Sequence, residues 1–202
     1  MAYPHSTQVS RAWRRTVARP AVFLDRDGVI IENRNDYIKS WDEVHFLPKV
    51  FEALRRLTQS EYALVLVTNQ SAVGRGIISW EQAMEINQRV IAEIEARGGR
   101  VDASYLCPHH PDEGCACRKP APGMLLRAAE ELGLDLAHSY AIGDALSDIQ
   151  AAQVAGVRGI LVLTGRGVEQ ASLLGAQGLS SCPIMIDLSA AVIYILQEED
   201  DI

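Results

Sequence analysis

The sequence predicts an α/β fold built on a parallel sheet, and three observations carry that reading. Short β-rich apolar runs recur at 21–25, 62–67, 102–106, 139–143, 159–163 and 184–187. Amphipathic stretches separate them, the alternation expected of βα units. No long Pro/Gly/Ser linker and no internal repeat interrupts the series, so residues 21–197 read as one domain.

Taken in order, the first run, Ala21-Val22-Phe23-Leu24, ends in Asp25-Arg26-Asp27-Gly28, two carboxylates where a buried strand gives way to a turn. Gly28 permits the sharp turn, and ligands of open α/β sheets collect at the carboxyl ends of strands. Asp25 and Asp27 therefore read either as a cation or acid-base site or as a solvated Asp-Gly turn. The second run ends in Thr68-Asn69-Gln70-Ser71, a hydroxyl and amides able to donate to phosphate oxygens. A helix over 80–97 follows: Ser79 and Gln82 form a capping-box pattern, and Trp80, Ala83, Met84, Val90, Ile91 and Ile94 make one face, which reads as core. The third run leads through a cysteine-bearing insertion to Arg118-Lys119-Pro120, cations placed just ahead of a helix that starts at Pro122 and stops at Gly133. The fourth run ends in Gly143-Asp144, with Asp148 one turn further on the same helix face.

Composition narrows the partner. At 202 residues, 48% hydrophobic and 22% charged, the chain has the make-up of a globular domain, and its net charge of −7 argues against a nucleic-acid or membrane-surface binder. The expected partner is a small molecule met by a monomer, without nucleic acid or membrane. No apolar run approaches the roughly 18 residues of a membrane span, and residues 1–20 lack the apolar stretch of a secretory signal, so a cytoplasmic location is expected. Those first twenty residues carry Arg11, Arg14, Arg15 and Arg19 with no acid and read as a flexible extension; 198–202 read as a solvated acidic tail.

Acid pair, hydroxyl, cation and acid at four successive strand ends solve one chemical problem, phosphoryl transfer through an aspartyl-phosphate. Asp25 is the expected nucleophile. Asp27 protonates the leaving alkoxide and then deprotonates water, while Thr68 and Lys119 hold the phosphoryl oxygens. Oxygen ligands and a phosphate favour Mg²⁺, held by Asp25, Asp27 and Asp144 with Asp148 behind them. A signalling receiver domain also joins Asp, Thr and Lys on a parallel sheet, but it must keep its acyl phosphate and gains little from an acid-base group at position 27. A zinc-dependent interaction module with a silent catalytic site is the other rival.

The segments Asp25-Arg26-Asp27-Gly28-Val29, Thr68-Asn69-Gln70, Lys119-Pro120 and Gly143-Asp144 with Asp148 resemble the four motifs of the haloacid dehalogenase (HAD) superfamily of phosphatases, over about residues 21–165. That resemblance implies a Rossmann-like, HAD-like sheet with a hairpin flap after the first strand. It places Asn35, Asp36 and Tyr37 of the flap, with Asn69, Gln70, Ser71, Arg75 and Arg118, against the substrate. Arg118 or Arg75 would meet a second phosphate. About forty residues separate Asp27 from Thr68 and about fifty separate Thr68 from Arg118, which leaves no room for a large cap domain.

Cys107-Pro108-His109 and Cys115-Ala116-Cys117 set three thiols and an imidazole in one loop, 107–117, a donor set suited to a closed tetrahedral Zn²⁺ site with a structural role. A disulfide framework is the weaker reading, because three clustered cysteines and a distant Cys182 pair awkwardly. Cys182 reads as a small hydrophobe, and His110 as less suited than His109 to ligation. A loop of this type resembles two branches of the superfamily, the D-glycero-D-manno-heptose 1,7-bisphosphate phosphatases and the histidinol-phosphate phosphatases. Gly74-Arg75-Gly76 and Arg118 to Met124 resemble the heptose branch; the five-residue gap between His109 and Cys115 resembles the histidinol branch. Ala145 departs from both, which commonly place a basic residue there.

Overall fold

The computed structural model describes residues 8–9 and 18–200. Its strands are β1 (Gln8–Val9), β2 (Ala21–Leu24), β3 (Ala63–Asn69), β4 (Ala103–Cys107), β5 (Tyr140–Gly143), β6 (Arg158–Val162) and β7 (Ile184–Met185). They form one sheet in the order β1-β4-β3-β2-β5-β6-β7. Six strands run parallel, and β1 joins the edge antiparallel to β4. All six expected strands are present, shifted by no more than two residues at either end. The helices are α1 (Val50–Thr58), α2 (Ser71–Gly74), α3 (Trp80–Ala96), α4 (Gly123–Leu132), α5 (Leu146–Ala155), α6 (Gly167–Ala171) and α7 (Leu188–Asp200).

Side chains alternate across the pleat, so each strand feeds two cores. Val22 and Leu24 of β2 meet Leu54 and Leu57 of α1, Val90 and Ile94 of α3, and Val192 and Ile195 of α7. Ala21 and Phe23 face the other way, onto Met124, Leu125 and Ala128 of α4 and the small Ala151, Ala152 and Ala155 of α5. A strand buried on both faces reads as an unbroken apolar run, which is why β2 is legible from sequence.

The capping box of α3 is formed as the sequence predicts: Gln82 N–H donates to Ser79 Oγ at 3.1 Å, and Ser79 N–H donates to Gln82 Oε1 at 2.8 Å. Ser79→Ala should therefore cost about 1 kcal/mol, read as a lower urea midpoint at constant slope. The buried face of α3 is Ala83, Ile86, Asn87, Val90, Ile91 and Ile94; Trp80 and Met84 are only half-buried. Helix α4 starts at Gly123 with Pro122 as its cap, one residue later than expected, and stops at Gly133 as expected.

Three expectations change. The flap after β2 is no regular hairpin: single bridges, Asp27 to Ile31 and Ile31 to Phe46, hold it. Within the first twenty residues, Gln8–Val9 joins the sheet as β1 and the Arg19 guanidinium bonds Asp102 at 2.8 Å, while the rest of the expected flexible extension, with Arg11, Arg14 and Arg15, lies outside the described residues. Glu198 belongs to α7 rather than to a tail; its carboxylate accepts from Tyr140 at 2.9 Å and from Arg158 at 2.7 Å. No helix among the described residues is long and apolar enough to cross a membrane.

Candidate active site

Parallel strands bring their carboxyl ends to one edge, where a cleft of about 730 Å³ opens. Asp25 follows β2 directly and is buried, its backbone N–H held by the Ile142 carbonyl at 3.0 Å. The Lys119 ammonium, equally buried, donates to Asp25 Oδ1 at 2.8 Å and to the Val67 carbonyl at 2.8 Å, and pairs with Asp148 at 2.6 Å. Burial pushes the Asp25 carboxyl up to about 6; Lys119 pulls it back, and Asp148 and Asp27 add to the rise. Asp144, fully buried, is also raised, by burial and then by Asp25, against the pull of Arg166.

Oxygens of Asp25, Asp144 and Asp148 lie within 4.8 Å of one another. Three buried carboxylates against the Lys119 and Arg166 charges leave a net negative centre of hard oxygen donors, which fits Mg²⁺. Gly28 allows this closeness: at φ +93°, a Cβ there would fall 2.1 Å from Asp144 Oδ2. The carboxylate of Asp27, expected among the ligands, is turned elsewhere. The Asp27 carboxylate lies outside the group, turned to Gln70 Nε2 at 2.8 Å, Thr68 Oγ1 at 3.2 Å and the buried Arg26 guanidinium at 3.1 and 3.2 Å, whereas Asp148 is one of the three acids. Asp148 also accepts the Ala145 N–H at 3.1 Å, capping α5.

Two residues expected at the substrate, Asn69 and Gln70, line the cleft and also brace the site. The Asn69 amide is used twice on the Lys119 backbone, donating at 3.1 Å and accepting at 3.1 Å. Gln70 donates to Thr68 Oγ1 at 2.9 Å as well as to Asp27. Asp36 is turned to Arg34 and Lys39, whose hydrogen bonds hold its carboxyl down at about 2, and it does not line the cleft. Asn35, Tyr37, Ser71, Arg75 and Arg118 line it together with Asn69 and Gln70. Tyr37, with its backbone left-handed at φ +65°, rests on the Ala72, Val73 and Ile78 cluster and so seats the flap against α2. One Arg118 guanidinium nitrogen is buried without a hydrogen-bond partner. Arg166 also lines the cleft and is absent from the sequence expectations; the signal was a strand end at 163 followed by Thr-Gly-Arg-Gly.

Cys107 closes β4, and the loop beyond it folds back so that Cys107, His109, Cys115 and Cys117 face one point, all ligand atoms within 4.8 Å of one another. Cys117 Sγ lies 3.2 Å from Cys107, 3.5 Å from Cys115 and 3.2 Å from His109 Nδ1. Zinc bonds of about 2.3 Å to sulfur and 2.0 Å to nitrogen set tetrahedral edges of roughly 3.5 to 3.8 Å, close to these separations. Hydrogen bonding with Cys107 first, then Cys115 and His109, pulls the Cys117 thiol down to about 5 against its burial, while Cys107 is pushed up by its bond with Cys117 and by burial. His110 instead accepts the Asp112 N–H at 3.3 Å, and Cys182 packs among Ile149, Leu161 and Leu174.

A parallel α/β sheet with a lysine-paired aspartate at its central strand end, and a second aspartate two residues on, is the arrangement of a phosphoryl-transfer hydrolase. The profile described as HAD-hydrolase-like matches residues 116–178. The chain is 42% identical over 178 residues to the D-glycero-beta-D-manno-heptose-1,7-bisphosphate 7-phosphatase of Bordetella bronchiseptica, spanning 88% of this chain and 98% of the relative. It is 38% identical to the enzyme of the same name from Pseudomonas aeruginosa, over 90% of this chain and 100% of the relative. The crystal structure of D,D-heptose 1,7-bisphosphate phosphatase from B. bronchiseptica, complexed with magnesium and phosphate, superposes with a TM-score of 0.82 at 41% identity, covering 89% of this chain and 99% of that one. The chain belongs to the HAD-like hydrolases, in the family of these bisphosphate phosphatases.

Proposed function

We propose that the chain is a Mg²⁺-dependent phosphatase that hydrolyses a small phosphorylated sugar, D-glycero-D-manno-heptose 1,7-bisphosphate, to the heptose monophosphate, as a cytoplasmic monomer whose catalytic domain spans 21–197. The observation that carries the chemistry is Asp25: buried, lining the cleft with Asp148, paired with Lys119 and grouped with Asp148 and the fully buried Asp144. The names of the relatives support the sugar. The unpartnered Arg118 nitrogen in the cleft wall supports a second anionic group on the substrate.

Asp25 Oδ attacks phosphorus, and the bond to the sugar oxygen breaks. Asp27 gives that oxygen its proton, so the sugar leaves as an alcohol. Water then attacks the aspartyl-phosphate, Asp27 takes its proton, and phosphate and free Asp25 result. Lys119 and Thr68 offer donors to the phosphoryl oxygens, where charge gathers in the transition state. Gln70 and Arg26 fix the Asp27 carboxylate between them. Mg²⁺ held by Asp25, Asp144 and Asp148 would neutralise the acids and the incoming phosphate. Zn²⁺ held by Cys107, His109, Cys115 and Cys117 would be structural, since protein fills all four positions.

The gap between His109 and Cys115 favours a second reading, histidinol phosphate as substrate. Phosphate release from heptose 1,7-bisphosphate, histidinol phosphate and other small phosphomonoesters separates the two: the bisphosphate should show the highest kcat/KM. A strong preference for histidinol phosphate would overturn the choice.

A further inference from the structure

A fifth strand end reaches the cleft. Beyond β6 the chain turns through 163–167 against the acids, and three contacts fix that turn. Thr164 Oγ1 donates to the Gly28 carbonyl at 2.6 Å. Gly165, left-handed at φ +56°, lies so close that a Cβ would fall 2.2 Å from Asp144 Oδ2 and 2.7 Å from Gly28 Cα. The Arg166 backbone N–H donates to Asp144 Oδ2 at 2.8 Å. The turn is thus built to bring residue 166 to the site.

The guanidinium of Arg166 is held more loosely than its backbone. It lies 3.2 Å from Asp144 Oδ1 and 3.4 Å from Oδ2, while its side chain stays 49% exposed on the cleft wall. A cation needed only to neutralise a buried acid would be buried with it, as Lys119 is at 3%. The short bond to Asp144 comes from a backbone N–H that any residue but proline supplies at this position.

Placement on the sheet says what the charge could do. Arg75, Arg118 and Lys119 reach the cleft from the β3 and β4 side of β2, and Arg34 from the flap. Arg166 arrives from β6, the opposite flank. On that flank the buried Ala145 offers no polar side-chain atom. A phosphoryl group on Asp25 spreads charge over three equatorial oxygens, and cations from one side alone leave part of it uncovered. We infer that Arg166 is a substrate-contacting residue whose guanidinium binds the phosphoryl oxygens from the flank opposite Lys119. This rests on the phosphatase reading, and its test is separable from it.

Inorganic phosphate, titrated calorimetrically into the Mg²⁺-loaded protein, is the probe. Arg166→Gln should weaken phosphate binding about tenfold, the loss of one charge-assisted contact, with Arg166→Lys in between. KM for the phosphate ester should rise by a similar factor while kcat changes less. Mg²⁺ affinity, measured without phosphate, should not fall. Unchanged phosphate affinity in Arg166→Gln overturns the inference, and so does a parallel loss of Mg²⁺ affinity, which would make Arg166 a support for Asp144 alone. Protein that hydrolyses no ester yet binds phosphate through Arg166 would remove the enzymatic reading and uphold the contact.

Discussion

Asp25→Asn should lose Mg²⁺-dependent phosphate release by about 10⁴-fold or more, equivalent to at least about 5.5 kcal/mol of transition-state stabilisation, while the protein stays folded. The chemical half of that expectation is direct. An amide has no anionic oxygen to attack phosphorus, and neither Asp144 nor Asp148 can substitute. The first is held on Arg166 and the second caps α5 and pairs with Lys119.

The structural half follows from the electrostatics of the pocket. Burial is the largest influence on Asp25 and raises its carboxyl to about 6, so the fold accommodates a charge there at a cost. A neutral amide of the same shape removes that cost. Lys119 keeps Asp148 at 2.6 Å and the Val67 carbonyl at 2.8 Å, so its ammonium is not stranded. Thermal melts should therefore match or slightly exceed the wild type. Turnover retained in the variant would sink the covalent mechanism; lost turnover with a collapsed melt would sink the claim that Asp25 is spared a structural role.

What the sequence revealed of this site depended on local adjacency. Asp25, Thr68 and Asp144 each stand directly after an apolar run long enough to be a buried strand, so their common edge follows from parallel topology alone. The thiol cluster was legible because four soft donors fall within eleven residues. Side-chain direction was not legible. Asp27 turns away from the acids because Arg26, Thr68 and Gln70 offer it donors, a choice made by residues up to 43 positions apart. Asn69 faces Lys119 across 50 positions for the same kind of reason. Arg166 escaped because its closeness to Asp144 depends on two glycines, Gly28 and Gly165, letting separate turns touch.

Removing zinc should have the second large effect, on stability first and on catalysis through it. Chelation followed by return of Mg²⁺ should cost about 3 kcal/mol, a drop in Tm of about 6 to 12 °C for a chain of this size. The donor atoms come from a strand end and from a loop with little regular structure beyond a single turn at Pro111–Glu113, tied to α2 at its start by the Gly74 N–H on the Pro108 carbonyl at 2.8 Å, so the metal would carry much of the order of 109–117. Cys107 anchors the loop in the sheet, where its carbonyl also accepts the Gln70 N–H at 2.8 Å, and Gly123 N–H bonds Ala116 at the far end. Between those anchors Cys117 immediately precedes Arg118 and Lys119. Loosening it should let Lys119 drift from Asp25, so kcat should fall after KM has already risen through Arg118. Cys117→Ser should reproduce both changes without a chelator. Elemental analysis of freshly purified protein should give one zinc per chain; protein that holds none yet melts and turns over normally would leave the cluster as three thiols and an imidazole packed together, with Lys119 secured by the Asn69 brace and by its own bonds to Asp25, Val67 and Asp148.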